Sequence, residues 1–385
     1  MTSERDVSKS RVRSIDILKA AAIIGVVLAH IAFIQNQDDI IEPAMGSVFP
    51  ISEFFYAVLP GFLVMSGYFY RSDSLRANLV RRVLPILVVF VVSTVVLTLI
   101  MYGYLVVLGY EMSFDKMIGD MGQMLIGREC FMDIYDPSFN AARAFDVYDI
   151  SLPYYFLQIM IVGYLIFYPI ADYVLKDWKR TAASIVILLT ITCVYMETIH
   201  IQLPFFAQLG PVVAAFYIAG AFLGKCRIAE TLESGWRERR FWLIFLLALT
   251  ISVVLIVLFP TRMAFVHSVF GDYGGYSVYT FFLLALSCGG ACMFIAALLA
   301  NLNRIAGAIM CIGRETLVIF ILHMFVAKAL IAPFVELEPD KWIVVDSLPQ
   351  AIALAVITIA IIMVSAMITR SFIRKNRKKN APAGE

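Results

Sequence analysis

The sequence predicts an all-α polytopic membrane protein of about ten transmembrane helices, with both termini in the cytoplasm. Three observations predict it. Of the 385 residues, 61% are hydrophobic and only 16% charged, against roughly 25% charged in soluble domains. The apolar residues gather into ten stretches near the length of about 20 residues that a spanning helix needs. Basic residues crowd onto alternate connections, the asymmetry that orients membrane proteins.

The stretches run, in order, over 15–34, 48–69, 84–108, 152–174, 182–199, 207–224, 241–259, 276–300, 314–333 and 349–369. The first is not a cleaved leader: its apolar run is too long, no small-residue cleavage site follows, and it carries Asp16, Lys19 and His30. The tail before it and every second connection thereafter are basic, from Arg5, Lys9, Arg11 and Arg13 to the closing Arg374, Lys375, Arg377, Lys378 and Lys379. Of the 31 lysines and arginines, 24 lie on that side and only Lys116, Arg128, Arg143, Arg262 and Lys341 on the other. Strict alternation supports an even number of spans. The expected organisation is a cytoplasmic tail (1–14), one ten-helix domain (15–370) and a basic, disordered cytoplasmic tail (371–385). The segment 109–151 is an extracytoplasmic loop with eight acids, read either as a solvated loop or as a lid over an external site.

A net charge of +2 and the lack of a basic patch interleaved with aromatics exclude a nucleic-acid binder. Six cysteines without a CxxC pair support neither a metal site nor a disulfide framework.

Ionisable groups inside spans are costly, about 2.5–3.5 kcal/mol each or more, and mark function by default. The first span holds three. At 100° and 1.5 Å per residue, Lys19 and His30 lie within 20° of each other and roughly 16 Å apart along the axis, with Asp16 on the same stripe. Such a stripe is expected to line a polar path rather than face lipid. Lys19 also has a plain reading, snorkelling to the interface beside Asp16. An imidazole at His30 suits a general base, and its plain reading is a structural hydrogen bond. His323 stands mid-span in the ninth stretch, either a packing residue or a second member of the same cavity. Glu53, like Glu197 and His200, sits near an outer helix end, where solvation explains it unless it meets an acceptor.

The first span resembles the opening helix of the acyltransferase-3 family of bacterial integral-membrane O-acyltransferases, which place a basic residue, commonly arginine, eleven positions before a histidine. Here the pair is Lys19 and His30. GFLVMSGYFYR (61–71) is similar to the family's Ser-Gly-aromatic motif, and VRRVLP (80–85) to its Arg-x-x-Pro turn, with Arg82 at the matching arginine. IGRETLVIFILHMF (312–325) resembles its late Gly-x-x-Ser-hydrophobic-His segment, with Thr316 for serine. Tyr154 and Tyr155 fall about where relatives carry a Trp-aromatic pair.

The resemblance implies transfer of an acyl group, usually acetyl, from acetyl-coenzyme A to a hydroxyl of a cell-envelope, exported or lipid-linked glycan, by an enzyme of the bacterial inner membrane and without a metal. The nucleotide phosphates would sit near Lys19, Arg81 and Arg82, and the thioester near His30 as general base. Asp16 would hold Lys19; Ser66, Tyr68 and His323 would neighbour His30; Tyr155 and Glu53 would lie on the substrate side. Two other readings fit the same pattern: a transporter of a glycan or small polar solute without chemistry, and a membrane module for a separate partner enzyme.

Overall fold

The computed structural model describes residues 12–34, 58–107, 113–127, 154–199, 203–258, 276–335 and 348–379. Glu53 lies outside these residues. The helices are α1 (Arg13–Ile34), α2 (Gly61–Tyr68), α3 (Leu84–Val107), α4 (Phe114–Ile126), α5 (Tyr155–Val174), α6 (Trp178–Thr198), α7 (Gly210–Lys225), α8 (Ile228–Gly235), α9 (Arg239–Leu258), α10 (Tyr276–Ala300), α11 (Asn303–Arg314), α12 (Thr316–Val335) and α13 (Leu348–Lys379). No strand occurs among the described residues. Seven helical segments there are long and apolar enough to cross a membrane, with an eighth if the bent pair α11–α12 forms one span. This is a multi-pass membrane protein.

Packing inverts the soluble pattern. The segment containing α7 has a mean hydropathy of 1.7 and is 78% buried, whereas α9, at 3.0, is only 11% buried. Lipid solvates large apolar side chains as well as a protein interior does, so association in a bilayer depends on close packing. Accordingly α9 presents Leu243, Leu246, Leu247 and Val257 outward, while α7 is rich in glycine and alanine. Its Gly220-x-x-x-Gly224 pair lies directly on α2. A Cβ at Gly220 would stand 1.9 Å from the Val64 carbonyl oxygen, one at Gly224 2.2 Å from that of Tyr68, and one at Gly67 2.1 Å from that of Tyr217. Gly220→Val is expected to destabilise the protein by about 1–3 kcal/mol or more through overpacking, read as a lower melting temperature in detergent. Gly307→Ala, at a position with nothing within 4 Å, should be neutral or stabilising by up to about 1 kcal/mol.

Three local features depart from expectation. Within the acidic segment 109–151, residues 114–126 form α4. Its Met117, Asp120 and Met124 are buried, and Asp120 accepts a short hydrogen bond from the Tyr102 hydroxyl, so this acid is not part of a solvated loop. The tail read as disordered from 371 is helical through Lys379. At 32 residues, α13 spans about 48 Å, well beyond the roughly 30 Å of a hydrocarbon core. Finally, the Arg-x-x-Pro turn is π-helical over Leu79–Val83, with the Leu84 amide donating to the Leu79 carbonyl. Pro85 has no N–H to donate, and its ring would strike the carbonyl four residues back in a regular α-helix; the widened turn relieves both.

Candidate active site

α1 is packed by α2, α10, α11, α12 and α13, which makes it the axis of the site. Near one end of it His30 Nδ1 lies 2.7 Å from His323 Nε2 on α12, the rings stacked at 5.0 Å between centroids and 21°. His323 is 1% exposed, while His30 keeps partial exposure. The other nitrogen of His323, Nδ1, faces the carbonyls of Phe320 (2.8 Å) and Ile319 (3.1 Å). Carbonyls only accept, so in the neutral pair His323 carries its proton on Nδ1 and leaves Nε2 as an acceptor. The 2.7 Å contact is then donated by His30 Nδ1–H, and the lone pair of His30 stands on Nε2. A hydrogen-bonded partner that fixes the tautomer of the reacting imidazole is the arrangement a general base needs.

The motif that carries His323 has a physical reason for each member. A Cβ at Gly313 would lie 1.9 Å from the Asp16 carbonyl oxygen, so only glycine lets α11 touch α1 there. Thr316 Oγ1 donates to the Gly313 carbonyl at 2.7 Å where α11 and α12 meet at 70°. His323 follows two turns later on the same helix face as Thr316. Tyr154, one residue before α5, donates to the Ile321 carbonyl at 3.0 Å and ties α5 to the histidine helix. Its neighbour Tyr155 instead packs on Phe206, 5.7 Å between centroids.

Lys19 sits toward the other end of the stripe, partly exposed, with Nζ 5.6 Å from the centre of the Phe69 ring. Asp16 is buried at 5% exposure. The stripe between Lys19 and His30 is not wet along its length: Ile23 (0%) and Val26 (4%) are buried in the apolar core, because both face inward onto neighbouring helices. The polar path is therefore confined to its two ends.

The hydrogen bonds of Ser66 and Tyr68 go to groups other than His30. Ser66 Oγ donates to the Phe62 carbonyl at 2.7 Å. The Tyr68 hydroxyl donates to the Glu230 carboxylate in a short hydrogen bond and accepts from the Ala229 amide at 3.1 Å. The C-terminal end of α2, with Phe69 just beyond it, lies toward Lys19, and the Tyr68 side chain reaches α8, whereas Ser66 faces Tyr164 of α5. Arg81 is engaged too, its Nη1 2.9 Å from Asp73. Arg82 is exposed on the same π-turn, near Tyr164 and Tyr168, and makes no ion pair among the described residues. No cluster of three metal-ligating side chains occurs among the described residues.

The described residues form a helical membrane bundle in which α1 carries a cation and one member of a hydrogen-bonded histidine pair. A family model described as an acyltransferase domain (Acyl_transf_3) matches residues 12–367, nearly the whole chain, and the protein belongs to the acyltransferase-3 family. Comparison with curated proteins and with solved structures gives no match.

Proposed function

We propose that the protein moves an acetyl or other small acyl group from acyl-coenzyme A to a hydroxyl of a cell-envelope or lipid-linked glycan. His30 is the general base, and the protein resides in the bacterial inner membrane. The observation that carries this reading is the histidine pair: His323 holds the His30 proton on Nδ1, which frees Nε2 to take the proton of the attacking hydroxyl and return it to the departing thiolate. The distribution of basic residues supports an orientation with the Lys19 end in the cytoplasm, where coenzyme A is found, and the His30 end toward an exported acceptor. Lys19 and Arg82 offer positive charge to the donor phosphates at the cytoplasmic mouth. Arg81 joins them only by leaving Asp73. The acyl-bearing arm must reach His30 past Ile23 and Val26, so donor binding requires α1 to part from its neighbours between these residues.

The reading is tested with the purified full chain in nanodiscs, labelled acetyl-coenzyme A and a panel of envelope glycans. Label should appear on an acceptor hydroxyl together with stoichiometric release of coenzyme A. Movement of a glycan across the membrane without thioester cleavage would overturn it. Lys19→Ala is expected to raise KM for acetyl-coenzyme A about tenfold, the worth of one charge-assisted contact, with kcat little changed; Lys19→Arg should restore it.

A further inference from the structure

The helix that delivers His323 follows a sharp bend between α11 and α12, and a residue of α13 reaches that bend. Between α11 and α12, which meet at 70°, stands Glu315, only 7% exposed. Arg370 of α13 grips it with both ends of its guanidinium: Nη2 donates to Oε2 at 2.7 Å and Nη1 pairs with Oε1. Gly313 is seated on the α1 backbone and Thr316 bonds back across the break. α13 itself packs on both α12 and α1, and much of its remaining surface is apolar and exposed, with Val356, Val364 and Ile368 outward.

His323 lies seven residues beyond Thr316, roughly 10 Å along α12. A change of about 5° at the break therefore displaces its ring by nearly 1 Å, enough to lose a 2.7 Å hydrogen bond. The pair is half open to water, with the Arg370 side chain 56% exposed and that of Glu315 8%, so its contribution to stability is small. Its particular gift is geometry, because a guanidinium fork fixes both distance and plane.

We propose that Glu315 and Arg370 are a positioning pair that sets the angle of the break, so that His323 meets His30 and locks its tautomer. The activity readout rests on the acyl-transfer reading; the positioning itself does not. The test uses the full chain in nanodiscs with 15N-labelled histidine, as wild type, Glu315→Gln, Arg370→Gln, Arg370→Lys and the reversed pair Glu315→Arg/Arg370→Glu. Imidazole nitrogen resonances report whether the His30–His323 bond persists. Turnover is followed with acetyl-coenzyme A and a soluble methyl hexoside. The two glutamine variants should lose the fixed-tautomer signature and about tenfold or more in kcat, with KM for acetyl-coenzyme A within about twofold. Arg370→Lys, which keeps the charge without the fork, should fall between, and the reversed pair should recover most of both readouts. Monodisperse glutamine variants that keep the histidine signature, or that change KM alone, would overturn the proposal. So would a folded reversed pair no better than the single variants. Should the reversed pair fail to fold, an Arg370→Lys variant indistinguishable from Arg370→Gln would count against it. Loss and recovery of the signature in a protein that transfers no acetyl group would leave the positioning standing and sink the acyl-transfer reading instead.

Discussion

Replacing His30 with alanine is expected to lower acyl transfer by roughly 10²–10⁴-fold, the usual contribution of a positioned general base. Alanine also leaves the buried His323 Nε2 without its donor, which confounds chemistry with folding. His30→Asn separates them. The asparagine amide stands near the place of the imidazole Nδ1 and can still donate to His323, but it has no basic nitrogen to take a proton. It should fold as the wild type does and be as inactive as the alanine variant. A monodisperse His30→Asn protein with most of its turnover would make the pair a packing feature.

The second large effect is at His323. His323→Ala removes the acceptor that fixes the His30 tautomer and should lower kcat about 10²-fold, with a smaller effect on KM, as expected for a group that acts through another. His323→Gln is the informative partner, because its side-chain oxygen can take the place of Nε2 and accept from His30 Nδ1–H. It should retain clearly more activity than alanine. Were alanine and glutamine equally active, acceptance of that hydrogen bond would have no part in catalysis.

Much of the fold was legible in the sequence because a bilayer imposes length and apolarity on each helix separately. The apolar stretches correspond to helices wherever they are described, while the expectation of ten spans rests on the sequence pattern. Buried and lipid-facing helices were harder to tell apart, since their signal is residue size rather than hydropathy. The Gly220-x-x-x-Gly224 spacing that seats α7 on α2 is visible in the sequence and marks such a contact. In α4, the Met117, Asp120 and Met124 spacing is helical, yet a tally of acids reads the same residues as a solvated loop.

The site was legible in part. The Lys19 and His30 stripe follows from helical geometry, and both ends of it are partly exposed. What fills the stretch between them depends on neighbouring helices, so the burial of Ile23 and Val26 leaves no trace in the spacing. The contact between His30 and His323, 293 positions apart, is tertiary and has no local periodicity. The motif spacing groups Ser66 and Tyr68 with His30, but it does not show that Tyr68 bonds to α8 and Ser66 to its own helix. In the sequence Glu315 and Arg370 each look like an ordinary interfacial charge at the end of an apolar stretch.

The most direct measurement is a structure of the full chain with acetyl-coenzyme A and a methyl glycoside bound to the inactive His30→Asn variant. The nucleotide should lie at the Lys19 and Arg82 mouth, and Ile23 and Val26 should have moved apart from the helices facing them. The thioester carbonyl carbon should stand within roughly 3–4 Å of a glycoside hydroxyl beside residue 30. A donor held with its thioester still on the Lys19 side of a closed Ile23–Val26 packing, or bound from the opposite end of α1, would contradict it.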